Sequence, residues 1–370
     1  MNTLPTPMER SVTAAIRAGY AWSVRRERRE AWREVARMTG VIMRHLGPGR
    51  GPTTPAELVP LLRRPLGTWL PTADEALAAL VILDEDDQLT DNTFGVGCDY
   101  TAEVLAGQED PGERWLPSWR THRAEQVEYA VFKRLVAGGD DDYTVGRRFL
   151  VENPAGHAQT IVGLRVDLGL PPLAEFTDIP RERQWRGRWW PCPVCSWPMS
   201  VSSSLVRCRF TPHQAVYTLL DGDGRSPLLQ PAQGSRRAIE ARTVEGAACV
   251  EESVWRHIVV PGVVEVRLRD RIAALPDVEA VLYPGKDTYD IGVRRSGAEE
   301  WAFTLDVKDF SSARALAAKL TARPVAAHHL VIPDYRRDQL RELRRRLPDL
   351  VISTETQIHR RIRQALGGTR

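Results

Sequence analysis

Between Tyr289 and Phe310 the chain alternates apolar and polar residues in two short runs, and a period of two is the signature of paired strands. Tyr289, Ile291 and Val293 make one apolar edge and leave Asp290, Gly292 and Arg294 opposite. In the second run Phe303, Leu305 and Val307 face a core, while Thr304, Asp306 and Lys308 share the other side. Two carboxylates and an ammonium are thereby set on neighbouring strands. That group suits a divalent cation, a phosphate and an activated water. An Asp-x-Lys triplet also occurs on ordinary solvated strand faces, so the surrounding elements must decide its meaning.

Upstream, Val264, Leu268, Ile272 and Leu275 recur at helical spacing, which predicts a helix over 263–275 that carries Glu265. A strand over 278–283 follows, then a Pro284-Gly285-Lys286-Asp287 turn and the Asp290 and Asp306 strands. A helix over 311–320, capped by Ser311 or Ser312, a strand over 329–332 and an Arg-rich helix over 334–346 complete the series. The order is αβββαβ. This order, together with Tyr289–Val293 and Leu305–Phe310, resembles the PD-(D/E)xK nuclease superfamily, the restriction-endonuclease-like fold, over about residues 255 to 370. The resemblance implies that Asp290 is the first acid and Asp306-Val307-Lys308 the triplet, with Glu265 as a supplementary acid. It also implies Mg²⁺ (or Mn²⁺) on Asp290 and Asp306, a water positioned or activated by Lys308, and DNA phosphodiester hydrolysis. The sequence departs from the family in having Tyr289 where the name writes Pro, and in lacking the Gln that some branches carry on the following helix.

A second constellation is Cys192-Pro-Val-Cys195, twelve further residues, then Cys208 and His213. Spacings of this kind build two knuckles around tetrahedral Zn²⁺, with a structural role because four protein ligands leave no open position. His213 is near enough to be the fourth ligand, and Cys249 is the alternative. A strand over 201–206 would belong to a small ribbon. Trp185, Trp189, Trp190 and Trp197 are expected to pack this module, leaving Arg181, Arg183, Arg186 and Arg188 free for a nucleic acid backbone.

The chain has 51 Lys+Arg against 48 Asp+Glu, so net charge announces no nucleic-acid binder and only local patches could. Such patches are Arg25, Arg26, Arg28, Arg29 and Arg33, and Arg336, Arg337, Arg341 and Arg344 to Arg346, each equally readable as a solvated helix face. No run reaches a membrane span or a signal-type segment. With cysteines in a metal-like rather than a disulfide pattern, a cytoplasmic protein is expected. No Walker motif supports an ATPase.

In the N-terminal part, residues 9–45 read as one or two helices, Thr54 caps a helix over 54–62, Pro/Gly breaks recur to about Pro111, and a helix covers 125–136. The Asp140-Asp141-Asp142 run reads as a solvated turn. The expected class is α+β and multidomain. It comprises a helical region over 1–120, a small mainly helical domain over 121–180, a zinc-ribbon-like module over 181–225, a linker over 226–254 and the nuclease domain over 255–370. A CPxC ribbon before such a nuclease is similar to the restriction-endonuclease-type component of pPIWI-RE bacterial defence islands. That resemblance implies a Piwi/Argonaute-like protein and a helicase as partners and invading DNA as target. The competing classes are a zinc-containing DNA-binding or adaptor protein with an inactive nuclease fold, and a repair or recombination nuclease.

Overall fold

Fourteen strands in four sheets, interleaved with helices, make up the computed structural model among the residues it describes, namely 7–72, 75–93, 96, 122–202, 204–220, 227–232 and 239–367. The chain divides into two compact units, Met1–Glu125 with Phe310–Ala315, and Gln126–Asp309 with Leu316–Arg370. In the first unit the expected one or two helices are two, Pro7–Ser23 and Ala31–Leu46. Val12, Ile16, Val35, Met38 and Ile42 are buried in its own core. An Arg17–Glu34 ion pair is buried within it. Thr54 caps the helix Pro55–Leu62 by accepting from the Glu57 amide, as its sequence position predicts. Cys98 and the expected breaks near Pro111 lie outside the described residues.

The helix His122–Val136 spans the boundary at Glu125, and the helix Asp140–Glu152 follows in the second unit. Asp140, Asp141 and Asp142 are therefore the first turn of a helix, a correction to the expected solvated turn. Acids belong there because they complement the exposed amides and the positive end of the helix dipole, and Asp142 Oδ2 accepts from the Gly139 amide at 3.1 Å.

Three small sheets follow. β1 (Ala155–His157), β9 (Ala247–Val250) and β2 (Phe176–Asp178) form one antiparallel sheet, and β3 (Arg188–Trp189) pairs with β8 (Arg242–Thr243). The third runs β4 (Ser200–Ser202), β5 (Leu205–Arg207), β6 (Val216–Leu220), β7 (Leu228–Pro231). The single strand expected over 201–206 is a hairpin, with Ser202 opposite Leu205. The stretch 226–254, read from sequence as a linker, carries β7, β8 and β9: β7 pairs with the nearby β6, whereas β8 and β9 pair with β3 and with β1 and β2, far away in sequence.

The C-terminal sheet has the order β10 (Val278–Leu282), β11 (Ile291–Arg295), β12 (Phe303–Val307), β13 (His329–Ile332), β14 (Val351–Thr354). β10, β11 and β12 are antiparallel neighbours, whereas β12, β13 and β14 run parallel. The helices Val260–Ala273 and Glu355–Leu366 pack on one another and on this sheet. Every residue of β12 is buried, so both faces of the strand are covered. The side that carries Thr304 and Asp306 is therefore enclosed and is not an ordinary solvated strand face. Among the described residues no helix is long and apolar enough to cross a membrane.

Candidate active site and metal centre

Adjacent positions in β11 and β12 bring the predicted acids together. Leu282 pairs with Ile291, and Ile291 with Leu305, which sets the residue before β11 beside the end of β12. Asp290 lies just outside the strand rather than on it, yet its carbonyl accepts from the Tyr283 amide at 2.9 Å and so extends the ladder by one bond. Its carboxylate turns inward, where Oδ2 accepts from the Val307 amide at 2.6 Å. Lys308 Nζ stands 3.6 Å from the same Oδ2 and forms an ion pair with Asp306. Asp290, Asp306 and Lys308 thus meet at one place.

The electrostatics follow from burial. Asp290 is 5 % exposed, and desolvation pushes its pKa up to about 7, with Asp306 adding to the rise and Lys308 opposing it. Burial works against the Lys308 ammonium, but Asp290 and Asp306 outweigh it and the net shift is upward. Lys308 is therefore a cation throughout the neutral range. A buried carboxyl at a cost to ionise, beside a second carboxylate, is a set of hard oxygen donors that fits Mg²⁺ or Mn²⁺.

Glu265, on the helix Val260–Ala273, belongs to the same cluster and pulls on Lys308. Its partners were not visible from sequence spacing. Arg147 Nη2 reaches its two oxygens at 3.1 and 3.2 Å, and the Tyr283 hydroxyl donates to Oε2 at 2.6 Å. Tyr283 ends β10 in the left-handed region, with φ +51°, instead of continuing the strand as expected. The helix holding Glu265 starts at Val260, not at residue 263, and is continuous with a π turn over Trp255–Val259. Pro261 lacks an amide hydrogen and crowds the carbonyl four residues back, which the wider turn accommodates.

The four predicted sulfur and nitrogen ligands also converge. The ligand atoms of Cys192, Cys195, Cys208 and His213 lie within 4.8 Å of one another, and no other group of three or more such residues does so among the described residues. His213 Nδ1 is 3.6 Å from Cys192 Sγ and 3.4 Å from Cys208 Sγ. A tetrahedral Zn²⁺ with ordinary bond lengths would separate S and N ligands by about 3.6 Å, so the donor set and its spacing fit zinc. Burial raises the Cys192 and Cys208 thiols, and hydrogen bonds with those two sulfurs and the His213 charge hold Cys195 below the usual range despite its burial. The Val194 amide donates to Cys192 Sγ at 3.4 Å and Trp255 Nε1 to Cys195 Sγ at 3.3 Å. Cys249, the alternative ligand, is instead a buried thiol in β9, raised to about 12 mainly by desolvation.

Trp189, Trp190 and Trp197 are buried as expected of packing residues, whereas Trp185 is half-buried with Arg186 4.4 Å over its ring. Arg183 departs from expectation. It is buried, 3.9 Å over the Trp197 ring, and bonded to the Pro198 carbonyl and Glu252, so it is not free for a ligand. Arg181, Arg186 and Arg188 are exposed. In the late Arg patch Arg336 pairs with Asp309, and Arg345 and Arg346 pair with Glu342.

The sheet and the paired acids lie within residues 262–370, which match a family model described as "REase associating with pPIWI_RE". A second, "pPIWI_RE three-gene island domain Y", matches residues 8–157. The chain is a component of pPIWI-RE islands with an REase-like domain. Comparisons with curated proteins and with solved structures found no match.

Proposed function

We propose that the chain is a divalent-metal-dependent endonuclease of the PD-(D/E)xK type that hydrolyses DNA. We place it in the cytoplasm beside a Piwi/Argonaute-like protein and a helicase of the same island, with invading DNA as target. The observation that carries this reading is the meeting of Asp290, Asp306 and Lys308 at the end of β12, with Lys308 Nζ 3.6 Å from one carboxylate and paired with the other. Asp290 and Asp306 would hold Mg²⁺ or Mn²⁺, which supplies a water of lowered pKa and neutralises charge developing on the scissile phosphate. Lys308, being a cation, orients the attacking water and stabilises the phosphate oxygens rather than accepting a proton. The Cys192, Cys195, Cys208 and His213 set would hold a zinc in a structural role, because four protein ligands would leave no open position for a substrate or water.

The test is cleavage of a panel of DNA and RNA forms with Mg²⁺ or Mn²⁺. Asp306→Ala and Lys308→Ala are expected to stay folded by circular dichroism and to lose about 100-fold or more of the rate. Activity surviving in both overturns the assignment. No cleavage by the wild type would favour a zinc-containing adaptor, and a preference for junctions or flaps a repair nuclease.

A further inference from the structure

Glu265 is 2 % exposed, and its carboxylate is held by two residues from outside its own helix. Arg147 contacts both oxygens, and the Tyr283 hydroxyl contacts Oε2. Arg147 is itself fixed. Its guanidinium lies 4.2 Å over the Tyr283 ring, and its Nη1 donates to the Tyr143 hydroxyl at 3.0 Å. Tyr143 meets Tyr283 edge-on at 5.8 Å. The helix Asp140–Glu152 that carries Arg147 is docked at two further points. The Thr144 hydroxyl donates to the Leu282 carbonyl at 3.2 Å, and Val151 occupies the space beside Gly262 where a Cβ would lie.

A left-handed backbone at a bulky residue such as Tyr283 is unfavourable and persists only where its surroundings impose it. Here it delivers the ring to Arg147 and the hydroxyl to Glu265. With all three ionised, Glu265, Asp290 and Asp306 face two cations, Arg147 and Lys308, which leaves one net negative charge. Among the described residues Glu265, Asp290 and Asp306 do not gather into one group of ligands as the Cys and His residues do.

We infer that Arg147 and Tyr283 are positioning residues that reserve Glu265 for themselves, so that a single divalent ion is held by Asp290 and Asp306 alone. The site is then assembled jointly by the segment matched to domain Y, which supplies Arg147, and the segment matched to the REase family. The inference rests on the nuclease reading given above. Removing Arg147 would leave a buried carboxylate unpaired, which is strongly unfavourable, and would free Glu265 to attract a further cation.

Calorimetric titration of the full, zinc-loaded chain with Mn²⁺ tests it, with DNA cleavage measured alongside. Wild type is expected to bind one Mn²⁺, and Glu265→Gln to bind one with affinity within about threefold. Arg147→Met is expected to gain a second Mn²⁺ or about threefold or more in affinity, and to lose about tenfold or more in cleavage, while Arg147→Lys restores single-ion binding. Two ions in the wild type, a loss of about tenfold or more in Glu265→Gln, or an Arg147→Met protein indistinguishable from wild type overturns the inference. Should Arg147→Met not fold, Tyr283→Phe carries the test: it removes one hydroxyl, and unchanged Mn²⁺ affinity in it also overturns the inference. Asp306→Asn is the control that separates the two levels. If it binds Mn²⁺ as wild type does, the nuclease reading fails, whatever Arg147 does.

Discussion

Asp290 has its Oδ2 beside a backbone amide and an ammonium, and burial lifts its pKa from 3.8 to about 7. The folded state thus binds this proton more tightly than the unfolded chain. Its contribution to stability is present below the unfolded value, declines as pH rises from about 4 to about 7, and is level beyond. Lys308 is shifted the same way from a higher starting value, so its contribution stays constant across that window. Metal-free protein should lose melting temperature between pH 5 and 8, Mn²⁺ added at pH 8 should restore it, and Asp290→Asn should flatten the profile. Thermal melts across that range check all three. A second expectation concerns Gly292, whose added Cβ would come within 2.9 Å of the Trp301 ring on which Arg294 stacks. Gly292→Ala should cost about 1–3 kcal/mol in denaturant unfolding. At this scale the sequence was informative where chemistry depends on short spacing. The strand alternation exposed Asp290, Asp306 and Lys308, and the knuckle spacing exposed the Cys and His ligands. Arg147 was hidden because 118 residues separate it from Glu265 and nothing local marks an arginine that will be buried beside an acid.

Among the elements, sequence signals failed where tertiary packing overrode a local breaker. The helix expected from residue 263 starts earlier and runs through Pro261 and Gly262, one accommodated by a π turn and the other required by the close approach of Val151. Gly262→Ala should therefore destabilise by about 1–3 kcal/mol, although alanine favours helices, and Val151→Ala in the same chain should recover part of the loss. Chemical denaturation of the single and double variants decides it. β14 and the helix Glu355–Leu366 were not anticipated. Val351–Thr354 is too short for periodicity to identify, and its strand character comes from parallel pairing with β13. The helix start is nonetheless well specified: Thr354 accepts from the Gln357 amide while Gln357 caps back onto the Thr354 amide. Thr354→Ala should lower stability by about 1 kcal/mol, seen as a lower melting temperature with the Mn²⁺ site intact.

For the molecule as a whole, each unit has its own interior, and the second gathers a Cys and His set that could bind a metal where hydrophobic area is scarce. The zinc module has short strands and buries Trp189, Trp190, Trp197, Met199 and Phe210 around the Cys and His ligands. Purified protein should contain about one equivalent of zinc, and chelation or Cys208→Ser should melt the module; a folded sample with much less zinc by elemental analysis would refute the site. Trp255 makes that loss visible elsewhere. It donates to Cys195 Sγ, stacks on Trp197 with ring centroids 4.2 Å apart and planes 9° from parallel, and opens the π turn that leads into the Glu265 helix. Two indoles so close and so nearly parallel share their excited states. The chain thus carries a built-in optical gauge: the near-ultraviolet circular dichroism of one tryptophan pair should report, without any added label, whether the sulfur at the other end of that indole hydrogen bond holds an ion.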